Sequence, residues 1–146
     1  QALLLALPSE SDLALAQAEL GGLADPVGLH EARDALRTRI AVHLSEVLVR
    51  LHGAMQAAGE FRADAAGAGR RALRNAALDL LAAAPTAAHL DRAVGHVEAA
   101  SNMTDAIGGL NALMLMSITR EGSSAFEKAI AVGPLKRPSR PSNCVP

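Results

Sequence analysis

Tryptophan and tyrosine are absent from this sequence, and Phe61 and Phe126 are its only aromatic residues. Any mechanism in which a tyrosine phenol holds an oxyanion is therefore excluded for this chain. Cysteine is nearly absent too: Cys144 stands alone, so no intrachain disulfide can staple the fold. A reducing, cytoplasmic compartment agrees with that usage. β-branched residues are sparse, which argues against a sheet. No apolar run approaches the ~18 residues that a membrane span needs. Nor is there an excess of charge of either sign. The net charge is −1 with neutral histidines, so neither a nucleic-acid nor a membrane surface is implied.

What is present is alanine and leucine. Half of the 146 residues are hydrophobic, and most of that mass lies in these two strong helix formers. A chain of this length makes one domain and can bury roughly 68–70% of its unfolded surface. The fold class expected is all-α, with stacked antiparallel helix pairs forming a helical array of superhelical type. Residues 1–118 would form the array and residues 119–146 a divergent tail, Pro-rich from about 133. The opening "QALLLALP" lacks a starting Met and a basic leader. It reads as the end of a helix cut by a fragment boundary.

Helix ends are legible along the array. Ser9 with Asp12 resembles a capping box, and Leu13 and Leu20 share one face of the helix that follows. "GGLADP" (21–26) breaks that helix; Asp25 can cap the next, with Pro26 at its first position. Leu29, Ala32, Leu36, Ile40, Leu44, Val47, Leu51 and Met55 then recur at spacings of three and four. They predict one long amphipathic helix closed near Gly59. Glu46 and Arg50 form an i,i+4 pair on it. A third helix is expected over 63–84, with Leu73, Ala77 and Leu80 buried and Pro85 as its stop. Thr86 can cap a helix over 87–100 with Leu90, Val94 and Val97 inward. Asn102 can cap another over 103–116 with Ile107, Leu110, Leu113 and Met114 inward. Gly108 and Gly109 weaken that one by about 1 kcal/mol each relative to Ala. "AFEKAIAV" (125–132) is compatible with one more helix, whereas "GPLKRPSRPSNCVP" (133–146) is too rich in proline for any.

Several stretches carry chemistry on paper. "HEARD" (30–34) is one letter short of the zinc-peptidase H-E-x-x-H. Asp34 would have to replace the second imidazole, and no other histidine pairs at i,i+3 or i,i+4 to supply a further ligand. His89 and His96 share a face but stand roughly 10 Å apart along the axis, too far to chelate one ion together. His30, Glu31 and Asp34 are read as flanking or solvated positions, with Ala32 on the buried stripe. His43 falls on the apolar stripe and is read as a core histidine satisfied by Glu46 or a backbone carbonyl. Arg70, Arg71 and Arg74 follow "GAG", yet no strand precedes them and the phosphate-loop pattern is missing. They are read as a solvated or salt-bridging face. Asn102-Met103-Thr104 matches a glycosylation sequon but is better explained by the cap. Met103, Met114 and Met116 are read as core filler. No catalytic, cofactor-binding or metal-binding residue is assigned.

"LPSESDLA" (7–14), "ADPVGLHEARDALR" (24–37), "GRRALRNAALDLLAA" (69–83) and "SNMTDAIGGLNAL" (101–113) occur in this order and spacing. Together they resemble the C-terminal helical domain of bacterial aminopeptidase N, the zinc-dependent alanyl aminopeptidase family, over roughly residues 1–117. The resemblance implies a much longer parent that removes N-terminal residues from peptides. Its upstream thermolysin-like domain would carry H-E-x-x-H, a Glu ligand, a catalytic Tyr and G-x-M-E-N, none of which occurs here. Zinc would belong to that parent and not to this chain. The expected partners are the parent's own catalytic domain and its peptide substrates, and the expected role is to enclose the active-site cavity. Gly108-Gly109 and the sequence after Thr119 depart from the family pattern; a D-K-W-F-like stretch is missing. The chain reads as an internal fragment truncated at both ends. An independent helical interaction module, anchored on the 29–55 stripe, is the alternative reading.

Overall fold

The computed structural model describes residues 5–56 and 64–117. Among them are six helices and no strand: α1 (Glu10–Glu19), α2 (Pro26–His43), α3 (Ser45–Ala54), α4 (Ala65–Leu81), α5 (Ala87–Glu98) and α6 (Met103–Met116). The described part of the chain is all-helical, as the composition implied. Gly59, the 125–132 segment and the proline-rich stretch from 133 lie outside the described residues, as do Phe61, Phe126 and Cys144. So do residues 1–4 of the opening "QALLLALP"; residues 5–8 are not helical.

Local side-chain chemistry sets the helix starts. Ser9 Oγ accepts from the Asp12 amide at 3.1 Å while the Asp12 carboxylate accepts from the Ser9 amide at 3.0 Å, a reciprocal capping box. Asp25 accepts from the Gly28 amide at 3.1 Å, with Pro26 in the first turn where no amide donor is needed. Asp64, Thr86 and Asn102 cap α4, α5 and α6 in the same way. Gly21, at φ 79, supplies the left-handed residue that reverses the chain after α1.

α4 is the shared wall of two apolar clusters. On one side Ala77, Leu80 and Leu81 pack with Leu48 of α3, flanked by Ile40, Val49 and Leu51. On the other, Leu78 and Ala82 pack with Ala93 of α5 and with Ala112, Leu113 and Met116 of α6. Leu90, Val94 and Val97 pack against that second cluster half-buried, as expected of inward positions. Each fully buried Leu here contributes about 1.5–3 kcal/mol of transfer free energy before ordering is counted.

The expected single helix over 26–57 is two helices. Leu44 sits at φ −109, ψ 13, outside helical values, and separates α2 from α3. Beside the break, the His43 ring bonds back to the Arg39 carbonyl at 2.8 Å, and a side chain competing for a ladder carbonyl is an established cause of helix bending. The buried line is displaced by one residue from the expected stripe. Ala41, Leu48 and His52 are buried and Ser45 half-buried, whereas Leu36, Leu44 and Val47 are exposed. Two members of the true line are polar, which is why apolar periodicity selected its neighbour.

α6 also turns a different face inward. Ala106, Gly109, Ala112, Leu113 and Met116 are buried, whereas Ile107 and Met114 are exposed. The glycine pair gives the reason. A Cβ on Gly109 would stand 2.5 Å from Val97 Cγ2 and 3.1 Å from His96 Cδ2, and one on Gly108 would stand 2.6 Å from Asn75 Cγ. The residues that weaken α6 as a helix let it close onto α4 and α5. Of the three methionines read as core filler, only Met116 is buried; Met103 and Met114 are exposed.

Candidate functional site

The HEARD segment lies on the outer side of α2. His30, Glu31, Asp34 and also Ala32 are exposed, so Ala32 belongs to no buried stripe. His30 Nδ1 is 2.8 Å from Glu10 of α1, and its Nε2 is 3.5 Å from Asp34. The Glu10 hydrogen bond, and then the charge of Asp34, hold the His30 imidazolium above its ordinary pKa. This is an α1–α2 clasp. Among the described residues no three His, Cys, Asp or Glu side chains converge so as to hold a metal ion. An open groove of about 480 Å³ adjoins the clasp, where α2 faces Ala82, Ala83 and Leu115. Its arginines already have partners. Arg33 donates to the Pro8 carbonyl at 2.9 Å, and Arg37 to the Asp79 carboxylate at 3.0 Å and carbonyl at 3.1 Å.

His43 is exposed, contrary to its reading as a core residue; its partner is a backbone carbonyl rather than Glu46. The arginine trio also divides. Arg70 is exposed, but Arg74 is buried and lies 4.0 Å from Asp105 of α6. Asp105 is itself buried and accepts from the Asn102 side chain at 2.9 Å. Burial pulls Arg74 below its ordinary pKa, with Asp105 opposing.

The polar centre of the molecule is one that spacing did not reveal. His52 of α3 and His96 of α5 are both buried, and one ring donates to the other across 2.9 Å between His52 Nε2 and His96 Nδ1. Their ring centroids are 5.1 Å apart. Burial pushes His52 down to about 3, aided by the charge of Arg74 and by His96 and Arg92. His96 is lowered by the same desolvation and by Arg74. Both rings are thus neutral at neutral pH. The Nε of Arg74 and Oδ1 of Asp105 find no hydrogen-bond partner among the described residues, while the Asp105 backbone lies near enough to His96 to oppose part of the lowering of its pKa. His89 makes a second bridge: its Nε2 pairs with Ser45 Oγ at 3.1 Å and its Nδ1 bonds the Ala84 carbonyl at 3.0 Å. His89 and His96 do share a face, and each uses it to reach α3. No local motif marks these contacts, because each bridges 44 residues of sequence.

Ser45 Oγ lies beside an imidazole, but the other nitrogen of His89 is held by the Ala84 carbonyl rather than by a carboxylate that would orient it as a base. The chemistry available is proton-dependent hydrogen bonding between helices.

Comparison with known proteins gives the context. The family model described as a domain of unknown function (DUF3458_C), ARM repeats, matches residues 1–132. Aminopeptidase N of Caulobacter vibrioides is 56% identical over 137 residues, covering 92% of this chain and 15% of that protein. Aminopeptidase N of Escherichia coli is 36% identical over 111 residues, covering 75% of this chain and 12% of that protein. The chain thus spans a small part of the length of these curated relatives.

Proposed function

The chain belongs to the DUF3458_C family of ARM-repeat domains, and from that premise we propose that it is the non-catalytic helical domain of a zinc metalloaminopeptidase. The parent would remove N-terminal residues from peptides in the cytoplasm, and this domain would enclose the active-site cavity. Among the described residues no helix is long and apolar enough to cross a membrane. Its partner would be the catalytic domain of the same parent chain, which would carry the zinc. Such a wall works by excluding water and folded protein and by positioning a peptide, with no proton transfer of its own. We divide the chain into an array over 1–118 and a divergent tail over 119–146. The family model matches residues 1–132.

The observation that carries the reading is the apolar surface left open at the outer repeat. Leu15, Leu20, Leu23 and Val27 are 62%, 89%, 94% and 66% exposed within one helix pair. A free-standing domain rarely leaves such a run bare, whereas an array cut from a larger body does. No residue of this chain is proposed as a catalytic, cofactor or metal-binding group.

The test uses the purified 146-residue chain. It is expected to hydrolyse no alanyl p-nitroanilide with or without added zinc, to retain no zinc on dialysis, and to self-associate or bind hydrophobic dye. Stoichiometric zinc held through His30, or turnover by this chain alone, overturns the reading. A cooperatively melting monomer that binds no dye favours the independent interaction module instead.

A further inference from the structure

α3 and α5 share no broad backbone contact; each packs mainly on its own neighbour, α3 on α4 and α5 on α6. Two hydrogen bonds nevertheless join them, Ser45 to His89 and His52 to His96. The two rungs are seven residues apart on both helices. α3 and α5 therefore run in the same direction, with a rung every two turns, about 10.5 Å. At each rung α5 contributes a histidine. We propose that the inner rung of this ladder, His52 to His96, is an acid-released latch between α3 and α5.

The geometry of the inner rung supplies the mechanism. The axis between His52 Nε2 and His96 Nδ1 holds one proton, donated by one ring and accepted by the other. A second proton on that axis makes both nitrogens donors, and the rung parts. A proton taken up on an outer ring nitrogen keeps the bond but leaves a buried charge. His52 is faced by Arg74 of α4, Arg92 and His96 of α5 and Asp105 of α6. His96 is faced by Arg74 and Asp105 as well as His52. Asp105 is the one anion in that set, and it already carries Asn102 and lies beside Arg74. The surroundings thus resist each added proton, and the resistance is relieved by opening α3 away from α5. The depressed pKa of both rings agrees in sign. The latch's contribution is full above the ordinary histidine pKa and weakens progressively as pH falls from there toward the depressed folded-state values. His30 and His43 are exposed and lie outside the ladder.

Amide hydrogen exchange of the 146-residue chain at about pH 7 and about pH 5, corrected for intrinsic exchange, tests the latch. Protection in α3 is expected to fall about tenfold more than protection in the second half of α6. In His52→Gln, whose amide can still bond His96 but does not titrate, that acid-specific difference should vanish. Ring-nitrogen NMR on the unmodified chain gives an answer that does not depend on the variant folding. His52 and His96 should stay neutral while His30 titrates. The proposal is overturned if α3 and α6 lose protection in parallel. It is equally overturned if His52→Gln keeps the acid response, or if both buried rings protonate near the ordinary value with α3 still protected.

Discussion

Helix α1 buries no residue and α2 buries only Ala41, whereas α4 and α6 bury six residues each. The outer pair is held by its capping box, by the Glu10–His30 clasp and by the arginine contacts of α2 to Pro8 and Asp79. Leu15, Leu20, Leu23 and Leu36 point to solvent. The inner helices are held by Leu78, Leu81, Leu113 and Met116, all fully buried, and by a polar cluster sealed among them. In a repeat array each unit draws stability from its neighbours. The outer pair is thus the more lightly packed region, although α6 also leaves Met103, Ile107 and Met114 exposed on its far side. The two regions also answer acid in opposite senses. The raised pKa of His30 makes the outer clasp complete at low pH and lost as pH rises through the folded-state value. The depressed pKa values of His52 and His96 make the inner pairing complete at higher pH and lost on acidification.

The largest expected effect lies in the core. Leu81→Ala should destabilise the chain by about 2–5 kcal/mol in a urea melt, because α3 and α4 close completely around that side chain. A melt in which it behaves like an α1 substitution would erase the distinction between the two halves. Acid comes next. For the inner half, stability should drop by about 1–3 kcal/mol as pH falls from about 6.5 to about 4.5, since the unfolded chain binds protons that His52 refuses. Urea midpoints across that range check the sign, with His52→Gln, which keeps only the His96 share, as the less sensitive reference.

Two glycines sharpen the contrast on a finer scale. Gly109→Ala puts a methyl against a β-branched neighbour and should cost about 1–3 kcal/mol. Gly95→Ala on α5 meets nothing within 4 Å and should stabilise by up to about 1 kcal/mol, the ordinary helix gain. Thermal melts of the pair would show opposite shifts. The smallest expected effect on stability is Leu23→Ser in the outer pair, within about 0.5 kcal/mol of zero. Its consequence should appear instead as weaker self-association in sedimentation.

Caps and breaks were legible because they are local. Ser9, Asp25, Thr86 and Asn102 each bond an amide three residues on, a distance that a short sequence window contains. The break at Leu44 carries no proline or glycine and was invisible. The buried line of α3 was hidden because Ser45 and His52 interrupt it, while Ile40, Leu44, Val47 and Leu51 offered a cleaner stripe one residue away. Arg74 looked like one more surface cation because its partner, Asp105, lies on another helix. The Gly108–Gly109 pair read as a weakness until Val97, His96 and Asn75 were seen against it. The histidine ladder depends on contacts 44 residues apart, which no spacing rule reaches.

The most direct test of the difference between the halves is amide hydrogen exchange of the dilute 146-residue chain at neutral pH. The buried amides of α4 and α6 should exchange only through global unfolding, and those of α1 and the first turns of α2 at least about tenfold faster. Equal protection from α1 through α6 would contradict the account, because the outer pair would then need no neighbour to complete it.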